Sequence, residues 1–325
     1  IEPAEGLEII EKLLASDIDQ IAVLKATQQA AQALGFQIEE RIPYLLSDVV
    51  KTFEQESFEI QSHIAFTEAL EQYTRKRVHE TELPKKAIPT YQRLHDALKR
   101  IPRPVGALNK EALHSKYPAL EGHIRLLDRC IDNLYDVLVG SLHPMQVMFP
   151  EGSFKWVEPV YKNNPVSDYF NDVLATTVKH IQDRKTQPIK ILEIGAGTGS
   201  STDRILPILK EGQTDYLFTD ISLSFVNRAK DKYKQYPFVR FNTLNIEKPV
   251  ELVEKFDIIV ATNVLHATKD MHQVMIHLKD LLSNHGVLLI NEVTARNDFS
   301  IVTFGLTPGW WLYADDEIRI PDSPL

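Results

Sequence analysis

The sequence Ile191-Leu-Glu-Ile-Gly-Ala-Gly-Thr-Gly-Ser200 is the most informative stretch of the chain. It begins with the end of a short apolar run, which predicts a buried β-strand. The glycines that follow allow the backbone to turn tightly and to approach a ligand closely. Such a turn between a strand and a helix is typical of nucleotide-binding α/β domains, although glycines alone are also consistent with an ordinary tight turn.

Short apolar runs alternate with amphipathic or polar segments throughout the second half of the chain. These runs, all rich in Ile, Val, Leu and Phe, are Ile189–Ile194, Tyr216–Thr219, Phe238–Leu244, Phe256–Ala261 and Gly286–Asn291. The alternation predicts strands separated by helices, and therefore a parallel sheet covered by helices on both faces.

The first 150 residues instead predict helices. One apolar helical face is predicted from residues that recur at three- and four-residue steps: Ile124, Leu127, Ile131, Leu134 and Leu138. A second helix is expected to contain Ile64, Leu70 and Tyr73, and a third to cover Val23–Leu34. We therefore divide the chain into a helical region over residues 1–150 and an α/β core over residues 151–325.

Composition and charge exclude several classes of function. The net charge is −9, and the densest basic run, Arg75–Lys76–Arg77, is flanked by acids, which disfavours a nucleic-acid partner. The single cysteine, Cys130, lies in an apolar helical pattern and is expected to be a buried thiol. No Cys/His cluster has zinc-site spacing, and no apolar run approaches about 20 residues, so we expect neither a metal nor a membrane span. The start at Ile1 carries no secretory signal and predicts a segment of a larger cytoplasmic protein.

The glycine spacing separates two classes of cofactor. The dinucleotide fingerprint is Gly-x-Gly-x-x-Gly, whereas Gly195, Gly197 and Gly199 are spaced Gly-x-Gly-x-Gly, with Glu193 just before them. A carboxylate at that point suits an ammonium group and would repel a pyrophosphate. Asp220 follows the second strand, where an acidic residue can hold ribose hydroxyl groups.

The Glu-x-Gly-x-Gly-x-Gly pattern resembles the first motif of class I S-adenosylmethionine-dependent methyltransferases. The resemblance implies a Rossmann-like parallel sheet, S-adenosyl-L-methionine as cofactor and S-adenosyl-L-homocysteine as product. It also implies that Glu193 contacts the methionine portion, directly or through water. The other residues that it assigns to the cofactor pocket are Tyr169, Asp220, Ile221, Leu244, Asn245 and Asn263. Of these, Tyr169 could equally be an ordinary contact between a helix and the core.

Two polar residues follow the next two strands. His266 lies in Ala261–Thr268 after the fourth apolar run, and Glu292 lies in Leu289–Thr294 after the fifth. Class I methyltransferases place these strands side by side, about 4.8 Å apart, so we expect both residues at the same edge of the sheet. A carboxylate beside an imidazole fixes its tautomer and raises its basicity, which makes a candidate general base. Taken singly, the histidine could be a structural hydrogen-bonding group and the glutamate a helix cap.

Three segments resemble one family more closely. Asn263–Thr268, Asn291–Thr294 and Phe304–Trp311 are similar to the C-methyltransferase domains of modular bacterial polyketide synthases, including the trans-acyltransferase type. In that family a His/Glu dyad removes a proton from the carbon between the ketone and the thioester of a β-ketoacyl chain. The resemblance implies His266 as the base, Glu292 as its orienting partner and an acyl carrier protein as the partner that holds the chain. It also implies Trp310 and Trp311 as walls of the acyl channel, although one of the two could be plain core packing.

The ends of the chain carry the same resemblance. Ile1–Ile10 and Asp19–Val23 resemble the tail after a ketoreductase, which implies a linker and a helical lid over residues 1–150. It also implies ketoreductase and ketosynthase domains as neighbours in one synthase. The family continues with two antiparallel strands beyond Pro321–Leu325, so we expect the C-terminal strands to be missing from this sheet.

Three alternatives stay open at this stage. An O-methyltransferase domain of the same assembly lines would share the fold and would methylate a β-hydroxyl or enol oxygen. A non-catalytic relative would be kept as a scaffold, which would need neither the glycine turn nor the dyad. A nicotinamide-dependent oxidoreductase is disfavoured by the glycine spacing.

Overall fold

The computed structural model describes residues 21–23, 57–106, 109–250, 252–321 and 323–325. The resembling segment Ile1–Ile10 and most of the helix expected over Val23–Leu34 lie outside these residues. Val23 itself ends a short strand, so a helix does not begin there.

One parallel sheet forms the centre of the α/β core, and it contains six strands in the described part of the chain. The strands are β1 (Ile21–Val23), β2 (Ile189–Ile194), β3 (Thr214–Asp220), β4 (Val239–Thr243), β5 (Phe256–Thr262) and β6 (Leu282–Asn291). Their order is β1-β6-β5-β2-β3-β4, and every neighbouring pair is parallel. Each of the five apolar runs coincides with one of the strands β2 to β6, so the predicted parallel α/β architecture is confirmed.

The described helices fall into two groups along the chain. The first group consists of α1 (Ser57–Glu80), α2 (Gln92–Lys99), α3 (Lys110–Lys116), α4 (Glu121–Asp132), α5 (Leu134–Leu138), α6 (Pro144–Met148) and α7 (Glu158–Tyr161). The second consists of α8 (Pro165–Arg184), α9 (Thr202–Ile205), α10 (Leu223–Lys232), α11 (Met271–Leu281) and α12 (Asp298–Val302). Short 3₁₀ turns connect several of them, including Leu265–Ala267, Phe304–Leu306 and Pro308–Trp311.

Helices cover both faces of the sheet. Successive residues of a strand point to opposite faces, so a strand that is apolar throughout needs a helix on each side. Leu192 and Ile194 of β2 pack towards α11, whereas Ile189 and Ile191 pack towards α8 and α10. The chain leaves β2 in one direction to β3 and β4 and later returns on the other side with β5 and β6. The turn after β2 therefore lies at the topological switch point, where open α/β sheets bind ligands.

The helices before residue 158 form a second layer with its own apolar core. That core includes Leu94, Leu127 and Leu134, but also residues from the end of the described chain, such as Phe299 and Trp311. The division at residue 150 therefore does not separate the two packing units, because the segment after β6 completes the helical layer. Periodicity alone could not have revealed this long-range contact.

The sheet edge beside β6 is occupied by the short strand β1. Ile21, Ala22 and Val23 pair in parallel with Val287, Leu288 and Leu289. In the residues that the structure describes, no strand follows β6. The expected C-terminal strands are thus not seen there, and a segment from the beginning of the chain takes the neighbouring position.

Several features predicted from composition have a structural counterpart. Cys130 is fully buried, as predicted, and burial raises the pKa of its thiol to about 12. The basic run at residues 75–77 is largely neutralised, since Arg75 pairs with Asp298 and Arg77 with Asp128. Across the described ranges, no helix is both long and apolar enough to cross a membrane.

Candidate active site

The glycine turn after β2 is shaped as a cradle. Gly195, Gly197 and Gly199 all have positive φ angles, of 57°, 55° and 77°, which only glycine adopts at little cost. A Cβ atom at Gly195 would lie 2.2 Å from Val264, and one at Gly199 would lie 2.1 Å from Tyr233. By contrast, the nearest atom to a Cβ at Gly197 is 3.8 Å away, so the middle of the turn faces open space. A ligand can therefore approach the backbone at Gly197.

Asp220 closes one side of this cradle. Its side chain is 6% exposed, and its two oxygens accept hydrogen bonds from the backbone N–H groups of Gly197 (2.9 Å) and Ser222 (2.7 Å). Burial raises the pKa of Asp220, and the two N–H donors oppose that shift. A carboxylate in this position can still accept hydrogen bonds from a ligand hydroxyl group, because each oxygen has more than one acceptor site.

Glu193 lies beneath the cradle. It is 1% exposed, and its Oε2 atom accepts hydrogen bonds from the hydroxyl groups of Thr202 (2.6 Å) and Tyr216 (2.7 Å). Burial raises the pKa of this carboxyl group from 4.5 to about 7. Its expected contact with an ammonium group stays a prediction, and the burial disfavours a direct contact. Thr202 and Tyr216 were not predicted as site residues, because their separation from Glu193 in the sequence does not indicate a contact.

The turn is also tied to the strands and to α8. The hydroxyl group of Ser201, which is buried, donates a hydrogen bond to Oδ1 of Asn171 on α8 and is hydrogen-bonded to the hydroxyl group of Thr262 on β5, each over 2.9 Å. Ala196 donates its N–H to the carbonyl oxygen of Thr219 on β3. Contacts on three sides hold the loop in one shape, so little reordering is needed when a ligand binds.

His266 and Glu292 are hydrogen-bonded to each other. The Nδ1 atom of His266 lies 2.7 Å from Oε2 of Glu292, and both side chains are largely buried. The other carboxylate oxygen, Oε1, accepts the backbone N–H groups of Val264 (2.7 Å) and Leu265 (2.6 Å). The pairing of β5 with β6, in which Thr262 lies opposite Asn291, brings the two residues together at the edge where both strands end. The sequence predicted this proximity.

A second support for the His266 turn was not visible in the sequence. Arg319 is buried and donates hydrogen bonds to the backbone carbonyl oxygens of His266 (3.2 Å) and Thr268 (2.9 Å). Its charge is balanced by Asp315, which accepts two further hydrogen bonds over 2.7 and 3.0 Å. Glu292, which follows β6, and Arg319, near the end of the chain, therefore hold the His266 turn by hydrogen bonds from two sides.

Aromatic rings enclose the pair. The ring of Trp310 packs edge-on against His266 with a centroid distance of 5.3 Å and stacks on Phe304 at 6.2 Å. Phe304 in turn lies 5.7 Å from Tyr161. Burial, and to a smaller extent the charge of Glu292, raise the pKa of Tyr161. No motif in the sequence marks Tyr161 as part of this site.

The two tryptophans differ in their surroundings. Trp311 donates its indole N–H to the carbonyl oxygen of Gly305 over 2.8 Å and packs in the helical layer. Trp310 is also buried, but its indole N–H has no hydrogen-bond partner among the described residues. Of the two predicted channel walls, only Trp310 is in ring contact with His266.

The remaining predicted cofactor residues lie at the same end of the sheet. Ile221 directly follows Asp220 and is 66% exposed, which leaves an apolar surface beside the cradle. Leu244 donates its N–H to the carbonyl oxygen of Asp220, and the side chain of Asn245 forms a local turn with Glu247. Asn263 has a φ angle of 49° at the end of β5. Tyr169 packs on Phe170 within α8.

These groups together fit a nucleoside ligand. The cradle offers backbone space at Gly197, Asp220 offers hydroxyl acceptors and Ile221 offers an apolar surface for a base. In the described part of the chain, no group of three or more His, Cys, Asp or Glu side chains is placed to hold a metal ion. The neighbouring His266–Glu292 pair can accept a proton from a second substrate.

Comparison with known sequences finds a methyltransferase family and polyketide synthases that are similar to the chain. Residues 192–288 match the family described as "Methyltransferase domain". The chain is 34% identical over 311 residues to the polyketide synthase PksR of Bacillus subtilis. The alignment covers 90% of this chain but 11% of PksR. The chain thus spans about a tenth of the length of that relative.

Solved structures resemble the chain over most of its length. The CurJ carbon methyltransferase superimposes with a TM-score of 0.71 and 29% identity, covering 91% of this chain and 87% of that one. The trans-methyltransferase CalH, solved in complex with S-adenosyl-L-homocysteine, superimposes with a TM-score of 0.56 and 25% identity, covering 79% and 77%.

Replacing Asp220 tests the cofactor end of the site. We expect Asp220→Ala to weaken the binding of S-adenosyl-L-homocysteine by about ten-fold or more, because charge-assisted hydrogen bonds to ligand hydroxyl groups contribute about 1.5–3 kcal/mol. Titration calorimetry measures the affinity, and Asp231→Ala, at an exposed position on α10, is the matched control. Equal affinities for wild type and Asp220→Ala would exclude Asp220 from the pocket.

The burial of Glu193 predicts a pH-dependent stability. The pKa of Glu193 is about 7 in the folded state and about 4.5, its ordinary value, in the unfolded chain. Between these pH values the folded state binds a proton that the unfolded state releases, so the free energy of unfolding falls as pH rises. Glu193→Gln should remove this loss. Its free energy of unfolding relative to wild type should therefore be higher at pH 8 than at pH 5, by roughly 2–3 kcal/mol.

Urea denaturation of both proteins at the two pH values measures this difference. Glu211→Gln, at an exposed position, controls for the loss of one charge. A relative stability of Glu193→Gln that is the same at pH 5 and pH 8 would show that the carboxyl group is not perturbed.

Proposed function

The chain belongs to the S-adenosylmethionine-dependent carbon methyltransferases of polyketide synthases, and on that basis we propose its acceptor and its base. The acceptor is the α-carbon of a β-ketoacyl thioester held on an acyl carrier protein, and the base is His266. The observation that carries the proposal is the 2.7 Å hydrogen bond between His266 Nδ1 and Glu292 Oε2. It lies beside a glycine cradle at the switch point of the sheet.

The hydrogen bond assigns the tautomer of His266. A carboxylate only accepts hydrogen bonds, so Nδ1 must donate and Nε2 keeps its lone pair. Glu292 cannot turn to another partner without leaving the N–H groups of Val264 and Leu265 unpaired. Because unpaired buried donors are costly, the carboxylate stays in place and the imidazole stays oriented.

The proposed reaction is a proton removal followed by a methyl transfer. The C–H bond at the α-carbon breaks, the proton moves to Nε2 of His266, and the electron pair is delocalised as an enolate over the two flanking carbonyl groups. S-adenosyl-L-methionine, when bound, supplies a methyl group activated by a positively charged sulfur. This methyl group would be transferred to the enolate carbon with S-adenosyl-L-homocysteine as the product that leaves, and the imidazolium of His266 would then release its proton to water. Glu292 stabilises the imidazolium while it exists.

The protein also has to position the acceptor and to exclude water. We propose that Trp310, Phe304 and Tyr161 form the wall of the acyl site, which keeps the enolate from being reprotonated by solvent. The unpaired indole N–H of Trp310 can donate to a carbonyl oxygen of the acyl chain. Trp311 is a weaker candidate for this wall, since its N–H is already bonded to Gly305.

We propose the wider assignments on the same basis. Residues 1–150 would contain a linker from a ketoreductase and a helical lid, which packs together with Phe299 and Trp311 from the end of the chain. A ketosynthase would be a further neighbour in the synthase. The cofactor would be held by Gly195, Gly197, Gly199 and Asp220, with Tyr169, Ile221, Leu244, Asn245 and Asn263 around it and Glu193 below.

A labelled acceptor tests the chemistry directly. With a carrier-bound β-ketoacyl chain that has deuterium at the α-carbon, wild type should add one methyl group and lose deuterium. His266→Ala should lower kcat by about 1,000-fold, because a positioned base contributes about 10²–10⁴-fold, while the affinity for S-adenosyl-L-homocysteine stays within about two-fold. Mass spectrometry of the released acyl chain measures the gain of the methyl group and the loss of deuterium over time. Titration calorimetry measures the affinity for S-adenosyl-L-homocysteine.

The outcomes separate the alternatives. Methylation of an enol oxygen also removes one α-deuterium, so fragmentation of the product has to place the new methyl group, and a methyl group on oxygen would mean that an oxygen is the acceptor. Loss of cofactor affinity in His266→Ala would make His266 a binding residue, and unchanged kcat would remove it from the mechanism. His272→Ala, in the neighbouring helix α11, is a matched control for the loss of one imidazole.

A further inference from the structure

A group of cations surrounds Trp156, which lies just before α7. The guanidinium carbons of Arg125 and Arg129 each lie 4.8 Å from the centroid of the Trp156 ring, and the ammonium nitrogen of Lys155 lies 5.7 Å from it. We call these four residues the Trp156 cluster. Three positive charges on one ring are unexpected in a chain with a net charge of −9.

The charges of the Trp156 cluster are not neutralised by neighbouring acids. Arg125, Arg129 and Lys155 form no ion pair with any carboxylate among the described residues, and Arg125 and Lys155 are exposed. The nearby acid Glu158 is already paired with Lys162 and Arg228. An anion that binds here therefore does not compete with a carboxylate of the protein.

Arg129 is held in place by hydrogen bonds, whereas Arg125 forms only the contact with the Trp156 ring among the described residues. Arg125 and Arg129 are four residues apart on α4, so they share one face of the helix. Arg129 donates hydrogen bonds to the carbonyl oxygens of Val147 and Gln146. A guanidinium group that is already oriented loses little freedom when it binds a phosphate, and its planar donors match phosphate oxygens.

The Trp156 cluster lies close to both halves of the proposed active site. Phe154 packs on Phe225 of α10 at 4.5 Å, and α10 begins just after Asp220. In the other direction, α7 leads from Trp156 to Tyr161, which is close enough to Glu292 for its charge to raise the pKa of the tyrosine. Gly122 of α4 lets α7 approach closely, since a Cβ atom there would lie 2.4 Å from Pro159.

We propose that the Trp156 cluster binds the phosphate of the phosphopantetheine arm through which a carrier protein presents its acyl chain. This inference rests on the proposed function, because only a carrier-bound substrate has such an arm. The compactness of the cluster, with all three cations around one ring, matches a single phosphate better than an extended acidic surface.

The length of the arm agrees with this placement. From phosphorus to sulfur it has about thirteen bonds, the equivalent of about four extended residues or about 15 Å. The five steps from Trp156 to Tyr161 span at most about 18 Å, and less here because Glu158–Tyr161 is helical. A phosphate at the Trp156 cluster would thus leave the thioester near Tyr161, at the wall of the proposed acyl site.

Binding of the arm without an acyl chain tests the proposal on the full chain. Titration calorimetry with 4′-phosphopantetheine and with pantetheine should show that wild type prefers the phosphorylated form by about ten-fold. Arg125→Ala and Lys155→Ala should each reduce that preference by about five-fold at low salt, and the double variant should lose it. Lys234→Ala, which removes one exposed charge after α10, should keep the wild-type preference.

Turnover with three thioesters of the same β-ketoacyl group identifies what the cluster contacts. The acyl chain is attached to the carrier protein, to phosphopantetheine alone or to pantetheine. The double variant Arg125→Ala/Lys155→Ala should have a lower kcat/KM than wild type for the two substrates that contain the phosphate, because their KM rises. For the pantetheine thioester, kcat/KM should stay unchanged.

Each result decides the proposal. A defect confined to the carrier-bound substrate would mean that the cluster contacts the carrier surface, and equal kcat/KM ratios in wild type and variant would remove the site. Phosphate-dependent binding without methyl transfer to any of the three would support the site and overturn the proposed reaction.

Discussion

The carboxylate of Glu292 is the interaction on which the rest of the site depends. One oxygen accepts two backbone N–H groups from the turn after β5, and the other accepts the Nδ1 hydrogen of His266. The same group therefore fixes the backbone that carries the histidine and the orientation of its ring. A charged acceptor can hold three donors at once in a nearly dry environment, where such hydrogen bonds are stronger than in water.

The fold supplies the conditions for this arrangement from both of its packing layers. Parallel pairing of β5 and β6 brings the strand ends together, and the glycine turn after β2 opens at the neighbouring switch point. The helical layer contributes Trp310 and Phe304, and the end of the chain contributes Arg319. Burying Arg319 with Asp315, and Glu193 beneath the cradle, costs desolvation free energy, which hydrogen bonds to well-placed partners offset. These buried polar groups give precise geometry rather than large net stability.

Much of the core could be predicted from the sequence because its signals are local. The apolar runs mark the five strands from Ile189 to Asn291, and the spacing of Gly195, Gly197 and Gly199 distinguishes the cradle from a dinucleotide turn. The meeting of His266 with Glu292 follows from the strand order of the resembling family. The support of the site could not be predicted in this way. The contacts of Arg319 with His266, of Tyr216 with Glu193 and of Phe299 with the helices before residue 158 join residues far apart in sequence. No periodicity or motif records such contacts.

The tautomer of His266 is the property that the geometry determines most directly. Nitrogen-15 NMR of ring-labelled histidine, with S-adenosyl-L-homocysteine bound and at a pH where the ring is neutral, reports which nitrogen carries the hydrogen. The resonance can be assigned by its loss in His266→Gln. Wild type should have a protonated Nδ1 and an unprotonated Nε2. Glu292→Gln should have the reverse, because the amide oxygen would face Val264 and Leu265 and the amide NH₂ would face Nδ1. A hydrogen on Nε2 in the wild-type protein would show that Glu292 does not orient the ring as proposed.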